Sequence, residues 1–156
     1  MTKLTLAKVI ASAMALLASS TAVASAVSPM PLSSQWRACD FTKLQWVPAV
    51  GDSRIIAQVS SSGPTVAAHI EAALAPPNTF YNVRIIQTPR PSIGCAPGDP
   101  GVVTGGLQTN DTGMGSVTVQ GPIADGKTGA WVIVDLPAAN SQTPAEFYTS
   151  EFIAPI

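Results

Sequence analysis

The chain has 156 residues, 46% of them apolar and only 11% charged, with eight Lys and Arg against nine Asp and Glu. That length suits one domain with a real core, and the apolar share is too high for a disordered chain. The basic residues are scattered rather than clustered, which speaks against nucleic acid as a partner.

Lys3 and Lys8 open the chain, and the uncharged run "VIASAMALLASSTAVASA" follows, ending in Ala24-Ser25-Ala26. A basic start, an apolar middle and a small-x-small close make a secretory signal over residues 1–26. A transmembrane helix is the rival reading. A span wants about 20 strongly apolar residues, whereas this run is rich in Ala, Ser and Thr. No membrane span is therefore expected in the mature form. The exported part keeps six basic residues against nine acidic ones, a mildly acidic balance.

Residues 27–38, which include the Pro- and Ser-rich "SPMPLSSQW", read as a flexible lead-in. From residue 39 to 156 the chain is a series of short apolar or alternating runs cut by Gly, Pro, Asn and Asp. "DFTKLQWVP" places Leu44 and Trp46 opposite Phe41, Lys43 and Gln45. "RIIAQVS" follows. "FYNVRIIQ" sets Tyr81, Val83 and Ile85 against Asn82 and Arg84. This period of two is the mark of a half-buried strand. "GVVTGGLQT", "GSVTVQG", "AWVIVDL" and "EFYTSEFIAPI" continue it, with turns at "APPN", "PGDPG", "TNDTGMG" and "ADGKTG". In "PTVAAHIEAALAPP" the Ala, Glu and Leu content also suits a helix. The clean alternation of Val66, Ala68, Ile70, Ala72 and Leu74 favours strand over 65–74, in a hairpin with "FYNVRIIQ". Seven or eight such strands, with no β-α-β pattern, predict an all-β fold, a two-layer antiparallel β-sandwich.

Gly121–Thr128, "GPIADGKT", fits the nucleotide-loop pattern G-x-x-x-x-G-K-[ST]. That pattern works only where a helix starts at the Lys, so that its N-terminus and the loop N–H groups hold phosphate. Here Gly129 and the strand-like "AWVIVDLP" follow, and Pro122 removes one N–H. The expected structure is a hairpin turning at Asp125-Gly126, with no nucleotide bound.

The other site candidates are sparse. Cys39 and Cys95 are the only cysteines; an even pair in an exported chain predicts a disulfide. Two thiols with no neighbouring His make a poor zinc site, so neither metal nor cofactor is expected. His69 is the single histidine, and the strand reading puts it on one outward face with Glu71. Such a pair serves a general base and its orienter, but no G-x-S-x-G nucleophile elbow occurs, and a surface pair is the plainer reading. Carboxylate pairs suit glycosidic cleavage; Asp99, Asp111, Asp125, Asp135, Glu146 and Glu151 are scattered among turns and strand ends. "TNDTGMG" offers Asn110 and Asp111 to calcium without the spacing of a calcium loop, so it reads as a turn, and its sequon reads as coincidence. Trp46 and Trp131 sit in apolar runs and are expected in the core. Trp36 precedes the first expected strand and is the aromatic contact candidate, with His69 and Glu71 as further contact candidates.

Together "CDF", "APPNTFYNVRIIQTP…C", "GGLQTNDTGMGSVTV" and "EFYTSEFI" resemble a class of small secreted actinobacterial-type proteins, mostly uncharacterised. Their outline also resembles Greek-key sandwiches of the copper-zinc superoxide dismutase type, or an immunoglobulin-like sandwich. The resemblance implies architecture alone: the dismutase needs a histidine cluster, and this chain has only His69.

The expectation is therefore a secreted or envelope-associated, non-catalytic protein that binds an extracellular protein or glycan, with no nucleic acid or nucleotide partner. A small secreted hydrolase acting on cell-wall or extracellular glycan is the alternative, and a purely structural or antigen-like surface protein is a third. Intact mass tests the export reading directly. The exported protein should match the chain from Val27 less two hydrogens; two free thiols in the native protein would contradict it.

Overall fold

A computed structural model describes residues 28–156. The expected signal segment, Met1 to Ala26, lies outside the described residues. Nine strands make up the regular structure there: β1 Met30–Ser33, β2 Arg54–Ser62, β3 Thr65–Ala73, β4 Phe80–Thr88 and β5 Val102–Gln108, then β6 Gly115–Pro122, β7 Gly129–Leu136, β8 Glu146–Ser150 and β9 Ala154–Pro155. Segment 65–73 is strand β3, as its alternation predicts, but Leu74, expected on the inward face, ends the strand with a φ of 57° and is 68% exposed. No helix among the described residues is long and apolar enough to cross a membrane.

The strands form one antiparallel path in the order β5-β4-β7-β8-β1-β2-β3-β6, with β9 added to β7 at Gly129 and Ala130. Alternation decides which side chains point inward. Ile55, Ala57 and Val59 of β2, Val66, Ala68, Ile70 and Ala72 of β3, Tyr81, Val83 and Ile85 of β4, and Ala130, Val132 and Val134 of β7 share one buried cluster. A path of this length, right-twisted, curls until its ends meet. The end strands β5 and β6 approach each other without a hydrogen-bonded ladder. Two glycines permit the approach. A Cβ on Gly105 would stand 2.5 Å from a methyl of Val119, and one on Gly121 would stand 2.8 Å from both methyls of Val103. The result is a nearly closed barrel rather than two separate sheets.

β1 is the reason the path is continuous. Met30, Pro31 and Leu32 pair with β2, while Leu32 and Ser33 pair with β8. Within the expected lead-in 27–38, Met30–Ser33 is thus strand rather than flexible chain; Met30 is fully buried and Leu32 nearly so. The register also replaces both expected hairpins. β3 pairs with β2 and β6, and β4 with β5 and β7, so segment 74–79 crosses between strands that do not touch as a pair. β6 and β7 are likewise unpaired, and segment 123–128 is a second crossing. The "DFTKLQWVP" run holds a single bridge, Arg37 to Lys43, rather than a strand. Trp46, expected in the core, is 79% exposed.

Each end of the barrel is sealed by buried polar groups. At one end the hydroxyls of Tyr81 and Tyr148 both donate to Glu146 Oε2, at 2.9 and 2.8 Å, and the Tyr148 oxygen accepts from the Ser53 N–H at 3.0 Å. At the other, the fully buried Gln87 donates to the Pro122 carbonyl and accepts from the Ala124 N–H, both at 2.8 Å. These bonds satisfy groups that would otherwise be costly to bury.

Burial pushes both phenols above the ordinary tyrosine value; the hydrogen bond with Ser53 opposes it, and the hydrogen bond and charge of Glu146 add to it. A group that ionises later in the folded state than in the unfolded one stabilises fully at low pH. That stability is lost as pH rises from about 10, where the unfolded tyrosines ionise. These are the only two tyrosines in the chain, so tyrosinate absorbance reads this cluster alone. At a pH just above about 10 the folded protein should show less tyrosinate than the unfolded chain; matching curves would contradict the seal.

Candidate functional site

The outward face of β4 and β7 carries a second apolar cluster. Ile86, Trp131 and Ile133 are buried there, under Trp36, Phe41 and Cys95. A sheet face this apolar must be covered, and two loops cover it: residues 34–53 and residues 89–101. The Cys39–Cys95 disulfide joins them, with Cα atoms 5.6 Å apart and 56 positions between them in the chain. Closing a loop of that length removes unfolded-state entropy worth about 4 kcal/mol.

The cover is fastened at several further points. The Trp131 indole N–H donates to the Cys39 carbonyl at 3.4 Å. Trp36 meets Phe147 edge-on at 4.9 Å, and Phe41 meets Trp131 edge-on at 5.6 Å. Phe41 takes a φ of 76°, the left-handed region that a bulky residue adopts only when packing imposes it. Its ring lies 3.9 Å from the Arg37 guanidinium, a cation–π contact. Arg37 is buried; it donates to Thr149 Oγ1 and to the Phe41 carbonyl, both at 3.2 Å, with Glu151 at 3.7 Å. Burial lowers its pKa from the ordinary value, while Glu151 acts the other way.

Where this cover ends, an open cleft of about 590 Å³ remains. Its floor is Asn82 and Arg84 of β4 with Asp135 of β7, neighbours across the ladder. Arg84 Nη2 donates to Asp135 Oδ1 at 3.0 Å, Arg84 Nη1 to the Cys95 carbonyl at 3.1 Å, and Asn82 Nδ2 to Asp135 Oδ2 at 3.4 Å. Trp36 forms part of the wall, and Thr104 and Gln142 stand at the rim, both exposed. A cleft of this size with convergent polar groups over an apolar wall is what small-ligand sites are made of. The disulfide loop thus reaches the floor through the Arg84–Cys95 bond.

The remaining candidates lie apart from this cleft. His69 and Glu71 do share the outward face of β3, with Nε2 to Oε1 at 3.8 Å, and both are exposed. His69 Nδ1 is also 3.0 Å from the hydroxyl of Thr118, its cross-strand partner on β6. Beside them Ile56, Glu71, Met114 and Ser116 line a shallower groove of about 530 Å³, open to solvent. Each of the two hollows contains one carboxylate, Asp135 or Glu71. Glu146 is committed to the barrel seal, Glu151 to Arg37, and Asp99 accepts from the Ala96 N–H at 2.7 Å. Asn110 Oδ1 accepts from the N–H groups of Thr112 and Met114, both at 3.0 Å, so "TNDTGMG" is the expected turn. Among the described residues no three His, Cys, Asp or Glu side chains meet as a metal site.

The nucleotide-loop letters fold as a crossing, not a cradle. Lys127 donates its ammonium to the Pro89 carbonyl at 2.6 Å, and strand β7 begins at Gly129 where a helix would have to start. Asn82, Arg84 and Asp135 went unnoticed as a group in the sequence. The available signal was a charge on each of two apolar strands: Arg84 inside one and Asp135 near the end of the other. Comparison of the chain with protein-family models, curated proteins and solved structures finds no match.

The Arg84–Asp135 pair is nine-tenths buried on its acidic side. Removing one member leaves the other without its partner, which costs more than the pair contributes. Asp135→Ala is expected to lower unfolding free energy by about 3 kcal/mol. The double variant R84M/D135L is expected to recover most of that in urea titrations. A single-variant loss under about 0.5 kcal/mol would mark the pair as an ordinary surface bridge.

Proposed function

We propose that this chain is a secreted or envelope-associated, non-catalytic binding protein that takes an extracellular protein or glycan through the Trp36 cleft. The observation that carries the reading is a cleft whose floor is built from a sheet and whose wall is held by a disulfide-bonded cover. A disulfide of this kind fits an oxidising compartment. In this reading the nearly closed barrel is a flattened Greek-key sandwich, with β1 bridging its two layers.

The arrangement favours binding over bond cleavage. Asp135 is engaged by both Arg84 and Asn82, and no second carboxylate faces it across the cleft. Glycosidic cleavage needs two carboxyl groups flanking the bond. Retention on isolated envelope material from the exporting cells tests the reading. Trp36→Ala is expected to weaken retention about tenfold or more, as loss of an aromatic anchor does; equal retention of both forms would contradict it.

One observation favours the hydrolase alternative. His69 stands within hydrogen-bond reach of Thr118, with Glu71 on its other ring nitrogen. That is a nucleophile–base–orienter set in composition, although it lies on an open sheet face that excludes little water. A set of that kind suits acyl transfer, so any ester or amide hydrolysis on acylated cell-wall glycan by the purified protein should fall at least about a hundredfold in His69→Ala. Unchanged turnover in that variant would remove the His69 version.

A further inference from the structure

Resting on the cleft reading above, we infer that the ligand is an uncharged saccharide, seated by one ring face on Trp36 and by its hydroxyls on the cleft floor and rim. The floor is charged in composition but neutral in effect. Arg84 divides its guanidinium between Asp135 and the Cys95 carbonyl, and Asp135 divides its oxygens between Arg84 and Asn82. An anion entering here meets Asp135 beside the only cation, and a cation meets Arg84 beside the only carboxylate. Either brings a like charge into a half-buried site, which is unfavourable.

The groups still free to bond are neutral. Thr104 and Gln142 have no side-chain hydrogen-bond partner among the described residues, and the Asn82 side-chain carbonyl has none either. A hydroxyl both donates and accepts, so a ring of hydroxyls can satisfy an amide, a threonine and the unused lone pairs of Asp135 together. The wall supplies the complementary apolar part: Trp36, Pro97 and Pro144. A pyranose ring combines those two surfaces, an apolar face and a hydroxyl rim. An all-apolar ligand would leave the floor unsatisfied, at a cost in affinity.

The test is a titration of the oxidised protein with uncharged tetrasaccharides of glucose, galactose, mannose and N-acetylglucosamine. Tetragalacturonate serves as the anionic arm and the chitosan tetramer as the cationic arm. Backbone amide shifts locate the binding. At least one uncharged oligomer is expected to bind, with shifts centred on Asn82, Arg84 and Asp135, and to outcompete both charged ones. Gln142→Ala and Thr104→Ala, both rim positions that leave the fold untouched, are each expected to weaken binding about fivefold. Tighter binding of a charged oligomer, shifts away from the cleft, or no binding of any uncharged oligomer would overturn the inference. In those cases Trp36-dependent retention on envelope material would still uphold the broader binding reading, with a different ligand.

Discussion

The outward face of β4 and β7 is too apolar to meet water, and much of the structure follows from that. Ile86, Trp131 and Ile133 lie on the side of the sheet that a simple barrel would expose. Burying them needs chain from outside the barrel, and residues 34–53 and 89–101 supply it. Neither segment has a ladder of its own beyond one bridge. Their order rests on side chains: Trp36 on Phe147, Phe41 on Trp131, Arg37 on Thr149, and the disulfide between them. Apolar burial drives the cover down, and the crosslink reduces the entropy that would lift it off. The cleft is the edge of that cover, so the candidate site and the stapled loops are one construction.

The opposite face shows the contrast. On β3 the outward residues are Thr65, Ala67, His69, Glu71 and Ala73, small or polar, and no segment lies over the His69–Glu71 pair. There the sheet alternates cleanly between core and solvent, as a half-solvated antiparallel sheet does. β7 does not alternate: all but its last residue are buried. A strand buried on both faces in an antiparallel sheet is the signature of a covered face, and it places Asp135 in the cleft floor rather than in solvent.

This difference explains what could be read from the sequence. Alternation gave β3 and β4 with their inward faces, apart from the exposed Leu74, because burial imposes a period of two wherever one face is wet; β7 was legible only as an apolar, β-branched run. Segment 65–74 is a case in point: helix propensity lost to the alternation of Val66, Ala68 and Ile70. An even pair of cysteines, read with the expected export signal, gave the disulfide. Pairing partners were beyond reach. Turn residues at "APPN" and "ADGKTG" mark where the chain bends, but not whether the next strand lies alongside or across the barrel. β1 was missed because four residues containing a proline carry no readable period, and its place is fixed by β2 and β8 on either side. Trp46 misled because "DFTKLQWVP" alternates by accident in a segment that follows the surface. The cleft floor needed register: Asn82 and Arg84 meet Asp135 only once β4 is known to lie against β7.

The cleft's floor comes from rigid strands; in its wall Trp36 and Pro97 come from the two disulfide-joined loops and Pro144 from the 137–145 segment. The most direct measurement is amide hydrogen exchange of the native protein before and after reduction of Cys39–Cys95. Faster exchange should appear in residues 34–53 and 89–101 and around the cleft, while the inward ladders of β2, β3 and β6 keep their protection. Loss of protection throughout the barrel, or no change in the two loops, would contradict the view that the disulfide holds a separate cover over a self-sufficient barrel.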